Sequence, residues 1–329
     1  MPAARPPVVL LTGASSGLGL VIARQLLARG RYRLVLTARD SSLPRFAAAG
    51  VAESADVRLR ALDVTHAAER RAVVAEADAE WGGVDVLINN AGVSYRAVVE
   101  HVNDAERLAQ MDINFLGPME LARLVLPTMR AKRAGRILNI SSVGGMMAMP
   151  TMAVYSASKF ALEGATEALW YEVRPWNIHV SLIQPGFIHS ESFRNVHFTE
   201  LSRRAAEDAS LAYAAHYRHM GSFIERMMRR VPATPERVAR KVLKTMERRR
   251  PPLRVAATID ARLFGILRRI LPRRLYHGLL YWNLPHVREW GPHDAAMPPP
   301  EPVEALPPPR EGIDPAATAE AASKGEGGS

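Results

Sequence analysis

The sequence of 329 residues lacks cysteine altogether and has only five lysines among its 43 basic residues. Without cysteine the chain has no disulfide bonds and no thiolate ligands for a metal ion, which fits a reducing compartment. Long apolar runs are also missing: the N-terminal run has about four residues, far fewer than a signal peptide or a membrane span needs. We therefore expect a cytoplasmic globular protein without a metal site.

Negative charge is scarce in one part of the chain. Residues 218–274 hold 17 basic and 4 acidic residues, whereas the part from Met297 onward holds 2 basic and 6 acidic residues. The net charge of +10 therefore belongs to one segment and not to the whole fold. The composition, rich in alanine and arginine and poor in lysine, is typical of a GC-rich bacterial genome.

Short apolar runs alternate with longer amphipathic ones over residues 8–186. The apolar runs predict strands at 8–13, 32–38, 56–62, 84–90, 135–141 and 177–186, and the clearest helices at 17–29, 66–81, 104–130 and 153–173. Strands that alternate with helices pair in parallel through crossover helices. The pattern therefore predicts an α/β fold of the Rossmann type, a doubly wound parallel sheet with helices on both faces.

Beyond Gly186 this alternation stops. The segment 234–250 is a predicted helix with Thr234 as its N-cap and Pro235 as its first residue, and 253–257 is a predicted last strand. The sequence thus predicts three parts. The first is a catalytic domain at 1–258, with a substrate loop at 187–232. A basic amphipathic helical extension at 259–296 and a disordered tail rich in Pro, Ala, Glu and Gly at 297–329 follow it.

A glycine-rich segment, TGASSGLG at residues 12–19, lies between the first predicted strand and the first predicted helix. Glycines permit a tight turn and a close approach of the backbone to a pyrophosphate, and the N-terminus of the helix offers free N–H groups. This context predicts a dinucleotide site at Gly13, Ser15, Ser16, Gly17, Leu18 and Gly19.

The residue after the second strand bears on the choice of cofactor. An acidic residue there would bind the ribose 2′-hydroxyl of NAD, but Arg39 follows Ala38 at this position. A guanidinium group can hold a 2′-phosphate through two hydrogen bonds. Arg39 therefore favours NADP(H) over NAD(H), although the neighbouring Asp40 and the abundance of surface arginine leave NAD(H) open.

Tyr155 and Lys159 stand four residues apart on a predicted helix, so they share one face of it. A tyrosine with its ordinary pKa of about 10 exchanges protons poorly near neutrality, and a nearby ammonium group lowers that pKa by favouring the phenolate. Ser142 follows the fifth strand, at the edge where open α/β sheets bind ligands. The three residues predict a site for proton transfer to a carbonyl oxygen.

These features together resemble the classical short-chain dehydrogenase/reductase family. The matching segments follow one another in family order over about 180 residues: TGASSGLG (12–19), LDV (62–64), NNAG (89–92), INFLG (113–117), ISSVGG (140–145), YSASK (155–159) and QPGFIHS (184–190).

The resemblance implies a role for each matching residue. Tyr155 is the general acid/base, Lys159 lowers its pKa and binds the nicotinamide ribose, Ser142 polarises the substrate carbonyl, and Asn114 holds a water in a proton relay. Ser141 is a rival for Ser142 but lacks the family's 13-residue offset from the tyrosine. The remaining implied cofactor contacts are Asp63 and Val64 at the adenine, Asn90, Ala91 and Gly92 beneath the cofactor, and Pro185, Gly186, Ile188 and Ser190 near the carboxamide.

Several segments, among them residues 142–151 and 155–169, resemble the 17β-hydroxysteroid and retinol dehydrogenase branch. This implies an oxidoreductase that interconverts an alcohol and a ketone or aldehyde on a bulky apolar substrate such as a steroid, retinoid or lipid. Four methionines between Ser142 and Tyr155 would supply adaptable apolar surface to the pocket. A 3-ketoacyl-type reductase and a non-catalytic nucleotide-binding regulatory protein on the same fold remain alternatives.

The basic segment 260–284 is amphipathic, with Leu263, Leu267, Ile270 and Leu271 roughly on one side and arginines alongside. Such a segment is typical of peripheral contact with a membrane, here with its inner face, and Pro272 divides it into two short helices. A solvated helix that caps the sheet and a contact in a homo-oligomer are alternatives. No nucleic-acid motif is present, so no nucleic-acid partner is expected.

Overall fold

The computed structural model describes residues 5–189 and 196–291. Ser190 and the tail 297–329 lie outside the described residues, so the predictions made for them stay predictions, as does the division of the chain at residues 258 and 296. The predicted α/β fold with a doubly wound parallel sheet is confirmed within the described part.

Among the described residues, seven parallel strands form the sheet in the order β3-β2-β1-β4-β5-β6-β7. Their bounds are β1 Val8–Leu11, β2 Arg33–Ala38, β3 Val57–Ala61, β4 Val86–Asn89, β5 Gly135–Ile140, β6 Ile178–Gln184 and β7 Arg254–Ala256. Leu10 of β1 pairs with Val35 of β2 on one side and with Leu87 of β4 on the other. The order of the strands therefore reverses beside β1, which places a crevice at its carboxyl end.

Helices cover both faces of this sheet. Their bounds are α1 Gly17–Leu27, α2 Pro44–Ala48, α3 Ala67–Trp81, α4 Asp104–Met111, α5 Gly117–Lys132, α6 Ala153–Val173, α7 Glu200–Glu207, α8 Ala214–Arg230, α9 Pro235–Glu247, α10 Ile259–Ile270 and α11 Arg273–Trp282. The predicted cap of α9 is present, since the Thr234 hydroxyl accepts a hydrogen bond from the Arg237 N–H. Pro272 separates α10 from α11, as the sequence predicts.

The core forms two layers because successive side chains of a strand point to opposite faces of the sheet. Val9 and Leu11 of β1 pack with α1 and α9, whereas Val8 and Leu10 pack with α3 and α5. All four side chains are fully buried, and burying one such side chain contributes about 1.5–3 kcal/mol. The two layers hold the strand ends that carry the candidate site.

The predicted helix at 104–130 differs in one respect from the structure. A π-helical turn, Asp112–Leu116, joins α4 to α5 and contains the buried Asn114. Such a turn inserts one extra residue in the helical ladder, often at functional sites. Its apolar pattern is that of an ordinary helix, so the sequence does not reveal it.

Candidate active site

The glycine turn after β1 is held by hydrogen bonds from the end of β4. The Asn90 amide nitrogen donates to the carbonyl oxygens of Thr12 (3.0 Å) and Gly13 (3.1 Å). Gly13 has φ +64°, and a Cβ atom added at Gly19 would lie 2.0 Å from the Gly13 carbonyl oxygen. Only glycine fits at Gly19 without displacing backbone, so the turn and the start of α1 approach each other closely.

This turn presents unoccupied donors. The N-cap residue of α1, Ser16, makes no side-chain capping hydrogen bond, and the first turn of α1 carries no acidic residue. The N–H groups of the first turn are thus available to an anion, and the positive end of the helix dipole adds to their attraction for it. The remaining predicted residues of this region follow the carboxyl ends of β1, β3 and β4, at one edge of the sheet: Ser15, Gly17, Leu18, Asp63, Val64, Ala91 and Gly92.

Arg39 and Asp63 follow the ends of neighbouring strands, β2 and β3. Arg39 is exposed, and its positive charge acts on the Asp63 carboxyl. Burial raises the pKa of the Asp63 carboxyl, but hydrogen bonds from Thr65 and the positive charges of His66 and Arg39 hold that pKa below its ordinary value. The structure thus brings a cation and an anion together at the ends of β2 and β3, where the sequence predicts contacts with the adenosine half of a dinucleotide.

Ser142 and Tyr155 meet above the carboxyl end of β5. The Ser142 hydroxyl accepts a hydrogen bond from the Gly144 N–H (3.0 Å) and lies close enough to the Tyr155 phenol to lower its pKa. Ser141, the rival serine, points the other way and donates to the buried Glu163 carboxylate at 2.8 Å. The geometry therefore brings Ser142, and not Ser141, to the tyrosine.

Lys159 lies one turn after Tyr155 on α6 and is almost fully buried. Its ammonium group donates to the Ile140 carbonyl oxygen at 3.0 Å and lies 5.9 Å from the centroid of the Tyr155 ring. Burial lowers the pKa of Lys159 to about 8, and the negative charge of Glu163 opposes that fall. A lysine with this pKa can exchange a proton near neutral pH.

The pKa of Tyr155 is governed mainly by burial in this structure, and the role of Lys159 in lowering it stays a prediction. Burial raises the pKa of the phenol above its ordinary value, and the nearby Ser142 hydroxyl only partly offsets this. The ammonium group of Lys159 is engaged by Ile140 and has itself lost part of its affinity for a proton. In this arrangement Tyr155 is neutral at pH 7 and can donate a proton.

Asn114 connects the π-helical turn to the strand end at β4. Its side-chain oxygen accepts from the Val93 N–H (2.9 Å), and its amide donates to the Val93 carbonyl (2.8 Å) and the Ser158 hydroxyl (3.0 Å). A Cβ atom added at Gly92 would lie 3.1 Å from the Asn114 side-chain oxygen and 3.7 Å from Lys159 Nζ. Both groups therefore border one small space beside Gly92.

The segment after β6 is tied to the start of α10. The Gly186 N–H donates to the Thr258 hydroxyl and the Phe187 N–H to the Asp260 carboxylate, both at 2.8 Å. The Pro185 carbonyl accepts from the Val143 N–H, and Ile188 packs on the core layer that contains α1. The predicted carboxamide contacts Pro185, Gly186 and Ile188 thus lie next to the Ser142 loop.

A methionine-rich apolar cluster adjoins Tyr155. Met149, Met152, Phe187 and Met220 pack together with the tyrosine ring, and Leu284 and Trp290 from the C-terminal region complete the cluster. The other two methionines of the loop, Met146 and Met147, pack against α10 instead. Of the four methionines expected to supply apolar surface there, the structure therefore places two, Met149 and Met152, in the cluster with the phenol.

Two groups of functional interest have no clear sequence signal. Glu163 is buried and accepts hydrogen bonds from Ser141 and Gln184, while Arg254 lies 3.7 Å away. Its spacing of four residues from Lys159 was the only available hint. In the second group, the Glu289 carboxylate pairs with His219 of α8 (3.0 Å) and with His286 (2.9 Å), which fastens the C-terminal region to α8.

Comparison with known proteins identifies a family. A family model described as short chain dehydrogenase matches residues 7–200. The chain is 35% identical over 250 residues to 3-ketodihydrosphingosine reductase of Bacteroides thetaiotaomicron, covering 76% of this chain and 87% of that one. It is 34% identical over 254 residues to retinol dehydrogenase 8 of Bos taurus, covering 76% and 80%.

Solved structures agree with this result. A short-chain dehydrogenase from Streptomyces avermitilis superimposes with a TM-score of 0.69 at 31% identity, over 84% of this chain and 97% of that one. A metagenomic short-chain oxidoreductase in complex with NADP (TM-score 0.58, 28% identity, 77% and 96% covered) is also similar. So is a Burkholderia phymatum short chain dehydrogenase/reductase in complex with NAD (0.64, 25%, 85% and 97%).

Proposed function

Since the chain belongs to the short-chain dehydrogenase/reductase family and is an NAD(P)-dependent oxidoreductase, we propose that it interconverts a secondary alcohol and a ketone on a bulky, lipid-like substrate with NADP(H). The observation that carries this proposal is the apolar cluster packed against Tyr155, the residue to which the resemblance gives the proton transfer. The family alone gives the reaction class, and the cluster beside the phenol indicates the kind of molecule.

The bound nicotinamide would supply or accept the hydride at the carbonyl carbon. In the reductive direction the neutral Tyr155 phenol gives its proton to the carbonyl oxygen, which the Ser142 hydroxyl holds. Lys159 then stands one turn away to stabilise the phenolate by its charge. Both side-chain amide hydrogens of Asn114 are already donated within the protein. A relay water beside Lys159 would therefore bind the main-chain carbonyl of Asn114 instead.

NADP(H) is the proposed cofactor because Arg39 is exposed directly after β2, and a guanidinium group at this position favours a ribose 2′-phosphate. We expect Arg39→Ala to raise the Kd for NADPH about tenfold to a hundredfold, the range of a lost charge-assisted contact. The Kd for NADH should stay nearly unchanged. Fluorescence titration of both cofactors measures this, and an equal loss for NADPH and NADH would contradict a role at the 2′-phosphate.

A lipid-like substrate is supported by two independent facts. The methionines and aromatics of the cluster give a flexible apolar surface that adapts to long or irregular molecules. Two relatives are named for reactions of long apolar molecules, 3-ketodihydrosphingosine and retinol. A panel of 3-ketodihydrosphingosine, retinal, steroid ketones and 3-ketoacyl esters, followed by NADPH absorbance, separates the proposed substrates from the 3-ketoacyl alternative.

The mechanism is tested at Tyr155. With any substrate that the panel identifies, Tyr155→Phe should reduce kcat by about 10²–10⁴-fold, the usual contribution of a positioned general acid. The Kd for NADPH and the thermal stability should change little, since the ring and its packing remain. Unaltered turnover in this variant would overturn the mechanism, and absence of turnover by the wild type across the whole panel would favour a regulatory protein.

A further inference from the structure

The outer face of α10 is apolar although it faces water. Ile259, Leu263, Ile266 and Ile270 recur at the spacing of one helix face and are 46–75% exposed. The predicted stripe of Leu263, Leu267, Ile270 and Leu271 is thus corrected, because Leu267 and Leu271 are partly covered. A run of large exposed side chains on one face marks an interaction surface, whereas isolated ones do not.

The next helix, α11, repeats the pattern. Leu275, Leu279 and Trp282 recur at helical spacing and are 44–66% exposed, and Tyr281 is exposed beside them. Aromatic side chains with a polar edge favour the boundary between lipid and water. The two helices therefore present apolar stripes, one of them with aromatics at its end. We call the two stripes together the outer face of α10 and α11.

The charges around the outer face are of one sign. Arg262, Arg269, Arg273 and Arg274 are exposed, and within residues 5–189 and 196–291 none of them forms an ion pair. The only acidic residue of both helices, Asp260, is turned inward to the Phe187 N–H. Exposed guanidinium groups beside an apolar stripe complement a lipid surface, which has an apolar interior and anionic headgroups.

We propose that the outer face of α10 and α11 docks on an anionic lipid bilayer, with the apolar stripes in the headgroup region and the arginines on lipid phosphates. Among the helices that the structure describes, none has the length and apolar composition to cross a membrane. The contact is therefore interfacial. This inference rests on the proposed function in one respect, because a lipid substrate gives the docking its purpose.

The inner faces of the same helices join the docking surface to the site. Ala261, Phe264 and Leu280 pack on the loop that holds Met146 and Met147, which begins directly after Ser142. The start of α10 also holds the segment at Gly186 and Phe187 through two hydrogen bonds. A bilayer on the outer face would thus be separated from the catalytic loop by the thickness of a single helix layer.

The test is flotation of the full-length protein with vesicles, without substrate or cofactor. Vesicles of phosphatidylcholine alone are compared with vesicles that also contain phosphatidylglycerol. We expect the protein to float with the anionic vesicles, and added salt to release it. Ile266→Asp/Ile270→Asp should reduce the bound fraction about tenfold or more, and Arg273→Glu/Arg274→Glu should abolish the preference for anionic lipid.

Tyr171→Asp is the matched control, because Tyr171 lies on α6 and is about as exposed as Ile270. It should float like the wild type, and circular dichroism should show that every variant is folded. Wild type that stays in the soluble fraction overturns the proposal, as does an aspartate double variant that still floats.

Light scattering tests the alternative that the face binds a second copy of this chain. A wild type that forms a dimer and binds no vesicles, with the dimer broken by the same double variant, would assign the face to that second copy. Turnover is measured separately, so failure of the proposed enzyme activity leaves the flotation result intact.

Discussion

The Lys159 side chain has almost no contact with water, and the charge of its amino group therefore depends on neighbouring residues. Burial lowers its pKa to about 8, and the carboxylate of Glu163 is the charge that limits this decrease. Glu163 is itself held in place by Ser141, Gln184 and Arg254. We interpret Glu163 as a positioning residue that acts through Lys159 and not on the substrate.

Replacement of Glu163 by glutamine should make the alkaline limb of the pH profile start at lower pH. Without the negative charge, the pKa of Lys159 falls below about 8, so the ammonium form is lost earlier as the pH rises. At a pH well above the pKa of the lysine, lowering that pKa by about one reduces the charged fraction about tenfold. The measurement is kcat/KM as a function of pH, which reports groups of the free enzyme.

Glu167→Gln is the control for this prediction. Glu167 also pairs with Arg254, at 2.7 Å, but it lies on the exposed part of α6. Its loss should leave the pH profile unchanged. If Glu163→Gln lowers activity equally at every pH, Glu163 supports the fold and does not tune Lys159.

At the scale of elements, the site depends on how closely α1 approaches the turn after β1. A Cβ atom at Gly19 would collide with the Gly13 carbonyl, whereas a Cβ atom at Gly164, in the middle of α6, would have no neighbour within 4 Å. The two glycines therefore differ in what a side chain would do to the fold. The first is required by contact, and the second is only a weak helix residue.

Gly19→Ala should destabilise the protein by about 1–3 kcal/mol and reduce NADPH affinity, because the backbone of the phosphate turn must move. Gly164→Ala should stabilise it by about 0.5–1 kcal/mol through helix propensity and leave NADPH affinity unchanged. Urea unfolding and cofactor titration of both variants measure these effects. Equal behaviour of the two variants would show that the close approach at Gly19 is unimportant.

The elements also show where sequence patterns stop being informative. The strands, the glycine turn and α6 were predictable because period-two and helical patterns are local and strong. The π-helical turn at Asn114 was not, since one extra residue in a helical ladder barely changes the apolar pattern. The short helix α2 at Pro44–Ala48 was missed for a similar reason, because five residues are too few to show a period.

At the scale of the whole molecule, the C-terminal region returns to α6, the helix that carries Tyr155. Trp290 packs in the apolar cluster with Met152 and Tyr155, and its ring lies 4.5 Å from that of His216 in α8. The pairs of Glu289 with His219 and His286 fasten this region. About 135 residues of chain separate Trp290 from Tyr155, so only tertiary folding brings them together.

Trp290→Ala should raise KM for the bulky apolar substrate about tenfold and change the Kd for NADPH little, because Trp290 packs in the apolar cluster beside Tyr155 and not on the glycine turn. Trp176→Ala is the control, since Trp176 lies after α6 and contacts Arg130. Steady-state kinetics with the substrate from the panel measure both. A fall in kcat with unchanged KM would place Trp290 outside the substrate pocket.

The sequence by itself determined the sheet, the glycine turn, the pairing of Tyr155 with Lys159 on α6 and the family, because these depend on short-range patterns and fixed spacings. It left open which charge tunes the lysine and which side of the basic helices is apolar and exposed. Those questions are decided by burial and by contacts between residues distant in the chain. Desolvation sets the pKa of Lys159, and packing against the methionine loop decides which faces of α10 and α11 remain open to a partner.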